Sequence, residues 1–491
     1  MTAAAVIDRE RLLAELREPR EWDVVVIGGG ATGLGIAVDA AARGFRTALI
    51  EARDFASGTS SRSTKLIHGG VRYLAQGNLK LVREALSERA LLLANAPALV
   101  RPLKFIVPCY RPFEREIMRV GLGIYDALAG KQGIGDTHWL SRTETIAQLP
   151  GVKADGLRGG VAYWDAQFDD ARLAIALMRT AVRIGAVAIN YVEADRIEKN
   201  GGRVFRIMAH DVLTGEQLQL RAKVVFNATG VWADGLRRRA DDSAAALTST
   251  SRGSHIVLPG SFLPGTTGMM IPRTADRRVL FAIPWHGRLM VGTTDVAATG
   301  ATWIPEASEA EVEFILDTAR SYLQTPPSTS DVLATFAGLR PLFSPRAAKA
   351  VKATKTISRE HAIVIEHENL ISVVGGKWTT YRKMALDALD QAARMRLLDA
   401  RPCTTAELKL DIDDSIESAC SAAEAAALDG ENHAAYHDVI TEFVRLAARH
   451  EQSHNADDII ARRLRLVSLD DRVAAAVLPL VDAAWSYIRQ S

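Results

Sequence analysis

The residues best placed to do chemistry begin with Gly28-x-Gly30-x-x-Gly33, which directly follows the apolar run VVVI at 24–27; Glu51 closes the next apolar run, TALIE. This is the spacing of a dinucleotide site. Gly28 permits the tight turn, Gly30 lets backbone approach a pyrophosphate, and Gly33 lets the next helix pack closely, with its N-terminal end and Thr32 toward the anion. Glu51 then accepts hydrogen bonds from the adenosine ribose. Three glycines alone are weak evidence, because such turns are common on surfaces. The strand before them, the helix-like AVDAAARG after them and the acid at the right distance make the signal specific. Further on, the hydroxyls of Thr59, Ser60, Ser61, Ser63 and Thr64 can bond a pyrophosphate or a flavin, and Gly375 and Gly376 expose amides just before a helix. Candidate nucleotide-binding segments thus fall near 24–70, 223–230 and 373–385. An NAD enzyme would normally complete its nucleotide unit in one block, so the interleaving favours FAD.

The elements that must position these groups follow from periodicity. Residues 8–18 read as a short polar helix, and 23–51 as a β-α-β start. A hydroxyl- and glycine-rich loop leads into the helical stretch NLKLVREALSERALLLANAP, which a proline ends. HDVLTG reads as a hairpin with Gly215 at its turn, and AKVVFNATG as a buried strand returning to the nucleotide sheet. Residues 240–253 read as a polar connection, after which GSHIVLP, RVLFAIPW and RLMVGTTD read as strands of a separate antiparallel sheet. The segment from AIVIEHENLISVVGG to YRKMALDALDQAARM runs strand, glycine turn, helix and rejoins the first sheet, and the Ala-rich remainder from about Leu397 is helical. The expected fold class is α/β: a Rossmann-like FAD-binding domain interleaved with an antiparallel-sheet substrate domain, plus a C-terminal helical domain. The FAD-dependent oxidoreductase region covers 20–396, with the FAD domain at 20–110, 150–235 and 360–396 and the substrate domain at 111–149 and 236–359. The helical domain covers 397–491.

A chain of 491 residues exceeds one typical core. With 60 basic against 58 acidic residues, no global charge points to nucleic acid. Cys109, Cys403 and Cys420 lack CxxC spacing and the density of a disulfide scaffold, which fits a reduced cytoplasm. Charges at Asp8–Arg11 interrupt any signal-peptide core, and no run of about eighteen apolar residues offers a spanning helix. No His/Cys/Asp cluster has metal-ligand spacing, and neither GxSxG nor a P-loop occurs, so the expected metal set is none and acyl transfer and NTP hydrolysis find no support.

The chain resembles the FAD-dependent glycerol-3-phosphate dehydrogenases over nearly its whole length. The resemblance rests on IGGGATGLGIAVDAAARG at 27–44, TSSRSTKLIHGGVRYL at 59–74, NATGVW at 227–232, GSHIVLP at 253–259, IPWHGRLMVGTTD at 283–295, AGLRPL at 337–342 and GGKWTTYRKMA at 375–385. Two positions depart from the usual pattern: Leu34 replaces a small residue, and Trp378 is bulkier than the residue that commonly follows GGK. The resemblance implies oxidation of sn-glycerol 3-phosphate to dihydroxyacetone phosphate, with electrons passed from FAD to membrane quinone. It further implies that Lys65, Leu66, His68, Gly69, Thr229, Gly230, Lys377 and Thr379 join the glycines, Glu51, Thr59, Ser60 and Ser63 around FAD. Arg72, Tyr73, Arg340 and Arg359 are implied to converge on the substrate.

Chemistry points the same way. Flavin oxidation of a secondary alcohol requires loss of hydride from carbon, loss of a proton from oxygen and, here, an anchor for phosphate. Arginine suits the anchor because its planar fork meets phosphate oxygens bidentately and keeps its charge. His255 is the leading proton acceptor, since an imidazole near neutrality is poised for that role. Arg340 then polarises the developing alkoxide; Lys377 either does likewise or touches only phosphate. Three rivals stay open: a glycerol-3-phosphate oxidase using oxygen, an amino-acid oxidase of the same superfamily, and a non-catalytic flavin-binding protein. The oligomeric state, a homodimer included, is open.

Quinone lives in the bilayer, so a quinone-linked enzyme without a spanning helix is expected on the inner face of the cytoplasmic membrane. Residues 101–131 offer a docking face: Arg101, Lys104, Arg111, Arg115, Arg119 and Lys131 flank Ile117, Met118, Leu122, Ile124, Tyr125 and Leu128. The competing reading is the buried face of an ordinary helix.

Overall fold

The computed structural model describes residues 5–70, 78–276, 278–344, 361–429 and 437–490. The apolar run at 24–27 lies in the strand Glu21–Ile27, where Val24, Val25 and Val26 are fully buried, as expected of a strand covered on both faces. It is central in a sheet whose order is 361–366, 370–375, 217–227, 21–27, 47–50, 187–189. All of these neighbours run parallel except the edge strand His361–Glu366, which pairs antiparallel with Leu370–Gly375. Segments some two hundred and three hundred and fifty residues apart are thus brought side by side, and the three stretches flagged in the sequence meet at the carboxyl ends of neighbouring strands. The hairpin at Gly215 is present, with φ +79° at the glycine and Gln217 opposite His210.

Among the described residues the second sheet has ten strands and is antiparallel apart from one parallel pair, Gly268–Ile271 beside Val100–Cys109. It contains Val100–Cys109, Gly159–Phe168 and the short Leu66–Ile67, all inside stretches that the sequence assigned to the FAD domain. The chain therefore crosses between sheets more often than the expected boundaries allow. The expected polar connection at 240–253 is corrected too: the strand starts at Thr248 and runs to Pro259. Ten consecutive cross-strand pairs with Ala334–Phe343 override its Ser-, Thr- and Gly-rich composition.

The C-terminal helices begin only at Asp414, capped by Asp413, because Leu408, Leu410 and Ile412 first pack against the nucleotide-domain core. Helices Asp414–Leu428, His437–His450 and Asp471–Gln490 share their own apolar core. This region is bolted to the first sheet by buried charges. Arg462 and Arg463 both bind the fully buried Asp54, and Arg172 binds Glu451 and Glu417.

The helix Glu114–Ala129 carries two apolar stripes. Leu122, Tyr125 and Ala129 face inward, so Leu122 and Tyr125 do not belong to an exterior docking face. Phe113, Ile117, Val120 and Ile124 lie at helical spacing on the outside, 77%, 67%, 65% and 46% exposed. Arg115 and Arg119 stack on the exposed Trp139 beside them. Arg101 and Lys104 lie instead on the strand Val100–Cys109, bonded to Gln167 and Gln148, and the Lys131 side chain lies outside the described residues. No helix among the described residues is long and apolar enough to cross a membrane.

Candidate active site

At the end of the strand Glu21–Ile27 the chain turns at Gly28, with φ +111°, where a Cβ would stand 2.6 Å from the Ala228 carbonyl oxygen. A Cβ at Gly33 would stand 1.9 Å from the Gly28 carbonyl oxygen. Only glycine at both positions lets the turn close and the helix Ala31–Ala42 seat against it. Gly30 caps that helix without a side chain; the Ala31 N–H donates to Ser60 Oγ at 3.0 Å, and Gly30, Ala31 and Thr32 border the cavity. Glu51 is buried, with its carboxylate accepting from the backbone N–H of Gly29 at 2.6 Å and of Arg53 at 2.9 Å. Burial raises its pKa and Asp54 adds to the rise, while these two hydrogen bonds pull the other way.

Gly28, Gly30, Ala31, Thr32 and Glu51 line one end of a cavity of about 490 Å³ and His255 and Arg340 the other, Lys377 borders it too, and Gly33 lies behind the wall. The hydroxyl-rich loop runs between the two ends. Thr59, Ser60, Ser63, Leu66 and His68 all border the cavity, although Thr59 Oγ1 donates to the Leu339 carbonyl at 2.5 Å and Ser63 Oγ to Asp170 at 2.7 Å. Thr229, Gly230, Gly375, Gly376 and Thr379 border it from the first sheet. Gly376 has φ +85°, and a Cβ there would stand 2.4 Å from Met384 Sδ.

Lys65 and Gly69 stand behind this wall. The Lys65 ammonium is 1% exposed and donates to Asp170 at 2.6 Å and to the Ser61 carbonyl at 2.7 Å, so its side chain shapes the loop and does not border the cavity. A buried ammonium needs such partners. Gly69 N–H donates to Tyr125 Oη at 2.6 Å, and it is the next residue, Gly70, that reaches the cavity.

At the far end the strands Thr248–Pro259 and Ala334–Phe343 place His255 opposite Phe336, Gly253 opposite Gly338 and Ser251 opposite Arg340, all on one face. The His255 ring lies parallel to Phe336 at 4.6 Å, and its Nε2 is 3.0 Å from Thr64 Oγ1. Its Nδ1 has no hydrogen-bond partner among the described residues. Burial, then the positive charges of Arg340 and Lys65, hold its pKa well below the ordinary 6.5. The ring is therefore held neutral, and the same burial makes it a weaker base than the imidazole near neutrality expected from the sequence. Arg340 Nη1 donates to the Thr294 carbonyl and Nη2 to Thr293 Oγ1, both at 3.1 Å. Arg72, Tyr73 and Arg359 lie outside the described residues.

Sequence reasoning missed several contributors. Arg62 borders the cavity and donates to the Ser57 and Gly58 carbonyls; burial, and then Arg462, push its pKa down to about 10. Trp232 and Trp303 border the end near Glu51. Trp378, noted for its bulk, donates from Nε1 to the Ser60 carbonyl at 2.8 Å and so braces the hydroxyl loop. Arg62, Trp232 and Trp378 sat in quoted motifs without being singled out for this role, and Trp303 sat in none. Among the described residues no group of three His, Cys, Asp or Glu could hold a metal ion.

The cavity fits FAD: a glycine cradle that a Cβ would fill, a helix N-terminus bordering it, a buried carboxylate acceptor for ribose and a long bordering wall that reaches an imidazole and a guanidinium. Residues 23–382 match the model of the FAD dependent oxidoreductase family. The chain is 43% identical over 418 residues to the mitochondrial glycerol-3-phosphate dehydrogenase of Mesocricetus auratus, covering 82% of this chain and 57% of that protein. It is 38% identical over 516 residues to a mitochondrial glycerol-3-phosphate dehydrogenase of Arabidopsis thaliana, covering 94% of this chain and 81% of that one. The structure of the glycerol-3-phosphate dehydrogenase from Bacillus halodurans complexed with FAD superposes with a TM-score of 0.76 at 28% identity, covering 98% of this chain and 93% of that chain. The match thus spans little more than half the length of the Mesocricetus protein, but most of the plant and bacterial ones. On these findings the chain belongs to the FAD-dependent oxidoreductases and, among them, to the glycerol-3-phosphate dehydrogenase family.

Proposed function

We propose that this protein oxidises sn-glycerol 3-phosphate to dihydroxyacetone phosphate and passes the electrons to a membrane quinone. The observation that carries the reading is a single cavity that joins a dinucleotide cradle to a wall holding both a neutral imidazole and a guanidinium. FAD bound there supplies the hydride acceptor. His255 accepts the hydroxyl proton, Arg340 stabilises negative charge on the carbinol oxygen, and Lys377 adds a further positive charge on the cavity wall. By the resemblance alone, the phosphate anchor falls to Arg72, Tyr73 and Arg359, which lie outside the described residues.

The quinone reading is supported by the outward stripe Phe113, Ile117, Val120 and Ile124 with Arg111, Arg115 and Arg119 nearby, an apolar face with a basic flank suited to anionic lipid. Such a face supports a location on the inner face of the cytoplasmic membrane. Product analysis tests the acceptor: with glycerol 3-phosphate, a quinone analogue is reduced one-for-one with dihydroxyacetone phosphate formed, and hydrogen peroxide is a trace product. Stoichiometric peroxide in its place would make the protein an oxidase.

A further inference from the structure

Trp303 sits in the loop between the strand Val296–Ala298 of the second sheet and the helix Glu309–Tyr322, next to Ile304, which is 70% exposed. An indole on such a loop would ordinarily lie on the surface, yet Trp303 is half-buried and borders the cavity. Its ring is stacked on Trp232 with centroids 3.8 Å apart and planes 24° from parallel, and the Arg53 guanidinium lies over it at 4.3 Å. Trp232 belongs to the turn between the strand Gln217–Asn227 and the helix Ala233–Ala240 of the first sheet. A residue from one sheet is thus clasped by two residues from the other.

The place of this clasp along the cavity is set by its neighbours. Arg53 is the residue whose backbone N–H donates to the Glu51 carboxylate. A Cβ at Gly58 would stand 3.2 Å from Trp232 Cζ3, and Ala52 and Gly58 both border the cavity. The clasp therefore stands by Glu51 and Gly58, apart from the contact of Thr64 with His255.

We infer that Trp303, held by Trp232 and Arg53, closes the cavity over the adenosine half of the dinucleotide and slows its release. This rests on the FAD reading and assigns Trp303 a role in retaining the cofactor, separate from the chemistry at His255. Aromatic stacking and a cation–π contact together suit the task, because they hold a surface loop in place without filling the cavity with bulky aliphatic side chains.

Release of FAD from the holoprotein, followed by the rise of flavin fluorescence after dilution, tests the inference. Trp303→Ala should release FAD roughly tenfold faster, the size expected for losing one stacked pair and one cation–π contact. Trp303→Phe should fall between that variant and the wild type. The absorption bands of the bound flavin should not move, since the clasp lies at the other end. Unchanged release in Trp303→Ala overturns the inference, as does a shifted flavin spectrum with release unaltered. Should Trp303→Ala fail to fold, Arg53→Gln reads the same contact: faster release by a few-fold supports the inference, and unchanged release overturns it. A wild-type protein that takes up no FAD would refute the cofactor reading and the inference together. Absence of glycerol 3-phosphate oxidation with FAD release as described would refute only the proposed substrate.

Discussion

The guanidinium of Arg340 lies over Gly253, partway along the strand toward His255: a Cβ added to Gly253 would stand 2.1 Å from Arg340 Nη2. Arg340 itself pairs with Ser251, so its side chain is folded back along about 7 Å of strand to reach that spot. Gly253 opposite Gly338 leaves the slot it occupies, and Thr293 and Thr294 hold it there. Two glycines in a strand normally weaken it; here they bring a cation toward a neutral base.

Gly253→Ala tests that slot. The atom in the way is the far end of a flexible side chain, so the protein should fold and bind FAD while Arg340 is pushed aside. Flavin reduction by glycerol 3-phosphate should slow roughly tenfold or more, the cost of a misplaced charge-assisted hydrogen bond being of order 1.5–3 kcal/mol. A reduction rate equal to wild type would show that Arg340 does not work from this position.

Arg340→Ala should retain the flavin absorbance and slow flavin reduction roughly 10²–10³-fold, as when a donor to developing negative charge is removed. Arg340→Lys should restore only part of the loss, because an ammonium cannot reproduce the planar fork. Rapid-mixing measurements of flavin reduction check both, and near wild-type rates in the alanine variant would remove Arg340 from the site.

The buried neutral state of His255 has a pH signature in stability. Its folded pKa lies well below 6.5, so the unfolded chain takes up a proton that the folded one refuses once pH drops under 6.5. Stability contributed by keeping the ring neutral is complete above 6.5 and is lost by about 1.4 kcal/mol per pH unit below it, until the folded pKa is reached. His255→Asn should therefore lose less stability than wild type between pH 7 and 5.5, and should also reduce its flavin more slowly. His454, pushed down to about 3 chiefly by burial, acts in the same direction and remains in both proteins. Identical acid sensitivity of the two melting temperatures would mean that His255 is not held neutral.

Liposome pelleting checks the outward stripe. Arg111→Glu, Arg115→Glu and Arg119→Glu together should weaken binding to anionic vesicles at low salt, and Ile117→Asn with Val120→Asn should weaken it at all salt concentrations. Reduction of a soluble dye should be untouched, since none of these residues borders the cavity. Unaltered pelleting in both variants would place the docking face elsewhere.

The cofactor cradle was legible in the sequence because its parts are local: Gly28, Gly30 and Gly33 lie within one turn, and Glu51 one strand later. The substrate wall was legible only as separate motifs, since His255 and Arg340 become neighbours through strand pairing across some eighty residues. What pattern reasoning could not find depends on contacts between distant residues of ordinary type. The Asp54 carboxylate meets Arg462 and Arg463 some four hundred residues away, and Trp303 meets Trp232 across two sheets. The helix Glu114–Ala129 misled because its two apolar stripes add up to one broad signal, and only packing separates Tyr125, bonded to Asp165, from Ile117 in solvent.

The most direct test of the central claim is anaerobic titration of the yellow holoprotein while its flavin absorbance is recorded. Glycerol 3-phosphate should bleach the flavin within the mixing time of an ordinary experiment, and plain glycerol at the same concentration should leave it oxidised, because the cationic wall requires the phosphate. Equal bleaching by both alcohols would contradict the phosphate anchor, and no bleaching by glycerol 3-phosphate would contradict the proposed reaction itself.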